Sequence, residues 1–255
     1  MGLEYDGTDF VGWQSQANGR SVQDVLTAAV STVADESVQI HAAGRTDAGV
    51  HATGQVAHFD SGAARSPRQW LLGITSNLPD DVSVTWIREV ADDFDARRGA
   101  LERRYRYLLL QAESRPALMR RIVWWLRDEL DVAAMTRAAV ACLGERDFSA
   151  FRAAHCQSRT PMRRMVSIGI SREGPITAID FTANAFLYHM VRNLVGAFVE
   201  VGRGKAKPEW ISELLRSRDR TRSAATAPSS GLTLVEVRYP DRYELPATRR
   251  MQLAF

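Results

Sequence analysis

The chain contains two cysteines and two lysines in 255 residues. Cys142 and Cys156 are too few for a disulfide framework, and no Cys/His spacing matches a structural zinc site. The first residues lack the basic and apolar regions of a signal peptide. Together these absences suit a reducing compartment, and the expected location is cytoplasmic. Long hydrophobic runs are also missing. The most apolar stretch, Phe186 to Val201, carries His189, Arg192 and Glu200. It falls short of the roughly 20 apolar residues that a membrane span needs, so no membrane association is expected. Nor is there any low-complexity tract, which excludes a repetitive, compositionally biased chain.

What is present is a composition that is 45% hydrophobic, enough to bury a sizeable core as one large domain or two small ones. The net charge is +3 and the isoelectric point about 9.1. Arginine supplies nearly all of the positive charge, with 31 residues against Lys205 and Lys207. Arginine suits bidentate phosphate recognition and base stacking, although a GC-rich coding sequence would also put Arg for Lys everywhere. Only local clusters argue for nucleic acid: Arg103, Arg104 and Arg106; Arg159, Arg163 and Arg164; and Arg216, Arg218, Arg220 and Arg222.

Local patterns divide the chain into two α+β parts. Leu3-Glu4-Tyr5 ends a strand. Ser21 is an N-cap with Asp24 at the capping-box position, and Val22, Val25, Leu26, Ala29, Val30 and Val33 follow helical spacing. A strand near Val38 to Ala42 comes next, and another leads out through Gln55 to Phe59. Ser66-Pro67 opens a second helix with Pro at its first position, and Val82 to Val90 alternates as a strand. This β-α-β-β-α-β order fits a split-βαβ, ferredoxin-like unit. The charged, turn-rich Asp92 to Leu101 marks a boundary, giving parts 1–97 and 98–255. In the second part, Tyr105 to Leu110 is a strand and Asp131 caps a helix. Val166 to Ser171 and Ile176 to Phe181 form a hairpin, and Ala185 to Val201 is a long helix with Asn184 as its cap. Pro208 to Leu215 is a further helix, and Leu232 to Arg238 a final strand. The expected fold is α+β, with two ferredoxin-like halves, adjoining mostly antiparallel sheets and a central catalytic cleft.

Between two strands lies Ala43-Gly44-Arg45-Thr46-Asp47-Ala48-Gly49-Val50-His51, a short polar turn with one acid. Gly44 and Gly49 bracket it, and glycine permits positive φ and close approach of backbone to a ligand. Arg45 lies two residues before Asp47, and a nearby guanidinium favours an ionised carboxylate, the form a nucleophile needs. On the pattern alone, a solvated surface turn remains open.

Gly44-Arg45-Thr46-Asp47-Ala48-Gly49-Val50-His51, followed by Gly54-Gln55-Val56-Ala57-His58-Phe59, resembles the signature of the tRNA pseudouridine synthase A family. The resemblance continues along nearly the whole chain. It includes Glu4-Tyr5-Asp6-Gly7-Thr8, Gly12-Trp13-Gln14, Arg103-Arg104-Tyr105-Arg106-Tyr107 and Asp147-Phe148-Ser149-Ala150-Phe151. It resumes at Gln157-Ser158-Arg159-Thr160-Pro161, Asn184-Ala185-Phe186, His189-Met190-Val191-Arg192-Asn193 and Pro240-Asp241-Arg242-Tyr243. Relatives usually carry several residues before Leu3, so a start at Met1 is expected to shorten an edge strand. Ser15 stands where relatives often have Arg.

The resemblance implies isomerisation of uridine to pseudouridine at positions 38 to 40 of the tRNA anticodon stem-loop. In that reaction the uracil leaves C1′, rotates and reattaches through C5. No atom is added and no electron exchanged, so no cofactor is expected. The resemblance assigns the carboxylate role to Asp47. It leaves open attack on C6, attack on C1′ or removal of the 2′ proton. It places Tyr105 against the extruded base, with Tyr107, on the same strand face, as the residue most easily confused with it. It pairs Arg192 with the catalytic acid and lines the base pocket with Leu232. Arg45 is expected to contact backbone phosphate near the flipped nucleotide or to fill the gap left by its extrusion, and Arg103 and Arg104 are further candidate substrate-binding residues. The resemblance also implies a homodimer whose tRNA touches both subunits.

Other classes fit less well. An RNA-binding protein without catalysis would not need Asp47, Tyr105 and Arg192 together. A glycosidase needs a second carboxylate at a fixed distance, and none lies in the Asp47 motif. A zinc base deaminase needs His-x-Glu with Pro-Cys-x-x-Cys, which is absent. His51 and His58 lack a matching ligand set, so no metal is expected. Trp124-Trp125 reads as core or dimer contact.

Overall fold

The computed structural model describes residues 1–17 and 19–246. Helices and mostly antiparallel strands make it a mixed α+β fold. The chain forms two compact units, Met1–Arg103 with the chain from Thr233 onward, and Arg104–Leu232. By packing, the first unit is discontinuous in sequence, where the expected division at 97/98 is a single cut.

The first unit runs β1 (Gly2–Tyr5), α1 (Val22–Ala34), β2 (His41–Ala42), β3 (His51–His58), α2 (Pro67–Asn77) and β4 (Val82–Trp86). Both helix starts follow from their sequence. Ser21 Oγ accepts the Asp24 N–H at 3.0 Å and donates to the Asp24 carboxylate at 2.6 Å. Ser66 and Gln69 form a reciprocal capping box with Pro67 in the first turn, so two otherwise orphaned amides are satisfied. α1 buries Val22, Leu26, Ala29, Val30 and Ala34, and α2, which packs against α1, buries Trp70 and Ile74. In the sheet, β1 lies between β4 and β3 and is antiparallel to both. The segment ending at Tyr5 is therefore an interior strand of this unit, not an edge. Leu3 and Tyr5 are accordingly buried.

The second unit takes most of β5 (Glu102–Gln111), then β6 (Trp124–Leu126), α3 (Val132–Ala139), β7 (Gly144–Asp147), β8 (Met162–Glu173), β9 (Ile176–Ala183), α4 (Met190–Gly202) and α5 (Trp210–Ser217). Its strands lie in the order β5-β9-β8-β7, with β6 parallel to β5. β9 alternates strictly, burying Thr177, Ile179, Phe181 and Ala183, and Phe181 stacks on Phe198 of α4 at 6.2 Å. Trp124 meets Tyr107 edge-on, and Trp125 donates to the Ala112 carbonyl at 2.8 Å, so this pair serves the chain's own packing. Asp131 caps α3 as expected, accepting from Ala134 N at 2.8 Å.

α4 starts later than its apolar run suggests. Its N-cap is His189, in a left-handed conformation at φ 59°. Asn184 is not its cap; its side-chain oxygen instead accepts from Arg164 N at 3.0 Å and Ala185 N at 2.9 Å. Residues 184–189 form a loop between β9 and α4.

The last strand, β10 (Leu232–Arg238), returns from Thr233 to the first unit. It pairs parallel with β3, Thr233 opposite His51 and Leu234 opposite Ala52. No helix among the described residues is long and apolar enough to cross a membrane.

Candidate active site

Asp47 lies in the turn between β2 and β3, half-buried, after exposed Arg45 and buried Thr46. The segment around Gly12 closes over this turn from one side. Trp13 N donates to Thr46 O at 3.0 Å, Gly49 N to Phe10 O at 3.3 Å, and Gly12 pairs with Asp47 as an isolated β-bridge. Val50 N closes the turn onto Asp47 O at 3.1 Å. The N-terminus of α1 anchors the covering segment in turn, because Val22 N and Gln23 N donate to Gly12 O and Trp13 O.

The glycines divide differently from expectation. Gly49 has φ +75° and does need its conformational freedom. Gly44 has no positive φ, and a Cβ there would meet nothing within 4 Å. The second demanding position is Gly12, at φ +110°, where a Cβ would lie 2.8 Å from Thr46 O and 3.1 Å from Ala48 N. A glycine distant in sequence carries no local turn signal, so only its isolated Gly-Trp dipeptide could have marked it.

Beneath the turn is a line of buried polar groups. Gln55 Nε2 donates to Gly44 O at 2.8 Å and lies 3.4 Å from Tyr5 Oη, which is 2.8 Å from Thr46 Oγ1. Arg103 adds a guanidinium: it donates to Ala43 O at 2.9 Å, Ala100 O at 3.1 Å and Arg97 O at 2.6 Å. It thus ties the start of the turn to the segment before β5.

Tyr105 and Tyr107 sit two apart on β5 and have different surroundings. Tyr107 is fully buried, and its hydroxyl donates to Pro228 O at 2.8 Å. Burial pushes its pKa far upward, so it is a core residue with an occupied hydroxyl. Tyr105 is 8% exposed and meets Phe186 edge-on at 5.1 Å. Leu232 is buried at the foot of β10, its amide bonded to Ser229 O at 2.9 Å.

Arg192 lies on the first turn of α4, half-buried. Its Nε donates to Ala227 O at 2.8 Å, while Ala227 N donates back to Arg192 O at 3.2 Å. This reciprocal pair fixes both the backbone and the side chain of Arg192. The next residue, Asn193, is fully buried. Its amide donates to Phe151 O at 2.8 Å and its oxygen accepts from Arg220 at 3.0 Å and from Thr226 Oγ1 at 2.7 Å.

Most of the clustered arginines are engaged within the fold. Arg104 and Arg106 both reach Asp180, the second through two bonds of 3.0 and 2.9 Å. Arg163 is nearly buried and donates to Thr160 O, Met162 O and Ser158 Oγ. Arg218 pairs with Asp147 at 3.1 Å. Arg159 and Arg164, by contrast, are exposed. No group of three or more metal-ligating side chains occurs among the described residues. His51 Nδ1 is 3.1 Å from both the Gly7 N–H and an Asp6 carboxylate oxygen, and His58 Nδ1 accepts from Ala96 N at 3.1 Å.

With this geometry in view, comparison defines the class. The model of the family described as tRNA pseudouridine synthase matches residues 3–97 and 138–240. The chain belongs to that family. It is 51% identical over 246 residues to the tRNA pseudouridine synthase A of Shigella boydii serotype 4 (strain Sb227), covering 96% of this chain and 91% of that protein. It is 50% identical over 246 residues to the protein of the same name from Shewanella sediminis (strain HAW-EB3), covering 96% and 94%. The likeness to a chain of the "Crystal Structure of a Cbf5-Nop10-Gar1 Complex" has a TM-score of 0.40 at 10% identity, over 92% of this chain and 48% of that one; it bears on neither fold detail nor function.

Proposed function

We propose that this chain is an isomerase that converts uridine to pseudouridine in tRNA, with Asp47 as the nucleophile. The observation that carries the reading is the Asp47 turn. It is the signature stretch of the family, and its acid is held at a half-exposed position by main-chain bonds from residues 10 to 13. A single carboxylate presented this way suits attack on an extruded nucleotide, because the reacting group is fixed before the substrate arrives.

The remaining assignments belong to the same proposal. Tyr105 stacks on the extruded base, using an aromatic face set by Phe186. Arg192, pre-oriented by Ala227, serves the catalytic carboxylate. Leu232 contributes apolar lining for the base, and Arg45, exposed beside the acid, contacts phosphate. Arg104 joins in backbone binding while held by Asp180. Arg103, engaged with three carbonyls, supports the turn rather than reaching far into solvent. The substrate positions are uridines 38 to 40 of the anticodon stem-loop. The working form is a cytoplasmic homodimer that needs no small-molecule cofactor. The Asp47 turn is carried by the unit that begins with Met1–Arg103, and Tyr105 and Arg192 by the unit Arg104–Leu232.

The test is tritium release from a C5-tritiated tRNA transcript. Asp47→Asn and Asp47→Ala should abolish release while tRNA affinity stays within about tenfold, or roughly 1.4 kcal/mol, because phosphate contacts supply most of the affinity. Release by either variant at the wild-type rate would refute the assignment. A collapse of affinity would make Asp47 a structural residue.

A further inference from the structure

Three side chains under the Asp47 turn form a hydrogen-bonded line that runs from β3 through β1 to the turn. Gln55, on β3, is completely buried. Its side-chain oxygen accepts from Val56 N at 3.2 Å, which leaves its amide nitrogen to face Gly44 O at 2.8 Å and Tyr5 Oη at 3.4 Å. An amide nitrogen has two hydrogens and no acceptor lone pair, so both neighbours receive from it. Tyr5 Oη, receiving from Gln55, also shares a hydrogen bond with Thr46 Oγ1 at 2.8 Å, in which either hydroxyl can donate. The line ends one residue before Asp47.

We propose that Tyr5 and Gln55 are positioning residues for the Asp47 carboxylate, acting through Thr46 and Gly44. The proposal rests on Asp47 being the nucleophile. The line grips the two residues on either side of exposed Arg45. Together with the Gly12 segment above, it immobilises the turn from both faces. Buried polar groups are costly unless satisfied, and Phe at position 5 or Leu at position 55 would fill the same strand layer without that demand. Here the polar chain leads to one place, the residue ahead of the acid. Burial also pushes the Tyr5 hydroxyl up to about 12, so it stays neutral and protonated throughout the range in which an enzyme works. Tyr5 is 3% and Gln55 0% exposed, so neither offers a surface for RNA. Their loss should act on the chemical step and leave binding alone.

The experiment measures kcat and KM for tritium release by Tyr5→Phe, Thr46→Val, the double variant and Thr46→Ser, each normalised to folded protein by circular dichroism. Tyr5→Phe removes one oxygen and should lower kcat about ten- to hundredfold, the usual result of a displaced reacting group. KM should stay within about twofold, since no substrate contact is removed. Thr46→Val should produce the same fall, and the double variant no further one, because both break a single line. Thr46→Ser keeps the hydroxyl and should restore kcat. Should Tyr5→Phe fail to fold, the two Thr46 variants carry the same comparison. An unchanged kcat per folded molecule, or falls that multiply in the double variant, would overturn the proposal. Asp47→Asn in the same assay separates the two readings. Turnover in that variant rejects the nucleophile itself. An inactive Asp47→Asn beside a fully active Tyr5→Phe rejects only the positioning role.

Discussion

The Asp47 turn and the arginine-rich loops of the second unit are both irregular backbone held in place by hydrogen bonds, but by opposite means. At the turn the grips are mostly neutral: the Gln55 amide, the Tyr5 and Thr46 hydroxyls, and amides of residues 13, 49 and 50. Arg103 on Ala43 O is the exception. In the second unit the grips are guanidinium groups. Arg152 spans Cys156 O and Ser158 O, Arg163 spans Thr160 O, Met162 O and Ser158 Oγ, and Arg220 spans Ala224 O, Asn193 and Thr226. A planar fork with five donors can satisfy several carbonyls at once where no ladder exists. Arginine content alone is therefore no count of nucleic-acid contacts, because at these loops the guanidinium groups already bond the fold's own polar groups. A guanidinium already shared among carbonyls is scaffold.

The sharpest way to break this contrast is at Gly12. Gly12→Ala drives a Cβ to 2.8 Å from Thr46 O at a φ of +110°, whereas Gly44→Ala enters open space. The first should cost about 1–3 kcal/mol and reduce turnover. The second should be nearly neutral in both, as read by urea denaturation and tritium release. Equal effects would mean that the covering segment does not hold the turn.

Arg220 tests the other region. Arg220→Met leaves the buried Asn193 oxygen with Thr226 alone and should cost about 1–3 kcal/mol of stability. The salt dependence of tRNA binding should not change, because no phosphate contact is lost. A shallower salt slope with intact stability would make Arg220 an RNA-contacting residue.

A smaller effect is expected from His58, which like the turn relies on a neutral acceptor. Burial holds its imidazole below the usual histidine range, with the His41 ring, stacked at 5.2 Å, adding to the shift and Asp95 opposing it. The unfolded chain, with a histidine pKa of about 6.5, therefore takes up the proton first. The stability from neutral His58 is present above that value and is lost as pH falls below it. The urea midpoint of the wild type should drop on acidification from about pH 7, and His58→Asn should flatten that drop. Parallel pH profiles in the two proteins would reject the assignment.

Much of the fold was legible because its signals are local. Ser21, Ser66-Pro67-Gln69 and Asp131 mark helix starts through bonds to their own first turns. The alternation of Ile176 to Ala183 marks a strand with one buried face. The Asp47 turn was legible as a motif. Less visible were features that depend on partners distant in sequence. Asn184 reads as a helix cap, yet its oxygen is taken by Arg164, twenty residues earlier, and α4 begins only after Leu187 and His189. Tyr105 and Tyr107 look equivalent on one strand, and the Pro228 carbonyl is what separates them.

The sequence by itself determined the class of protein, the Asp47 turn as a motif, the mixed α+β character and the helix caps, because each rests on residues close together in the chain. Tertiary structure alone decided three further matters. Gly12 and Gln55, 43 positions apart, serve the same turn. β1 lies inside its sheet, and β10 returns to the first unit. Most of the clustered arginines are engaged with the fold's own carbonyls, carboxylates and polar side chains. The physical reason is common to all three: a buried hydrogen-bonding group or a strand edge must be satisfied, and which distant segment satisfies it is settled only when the chain packs.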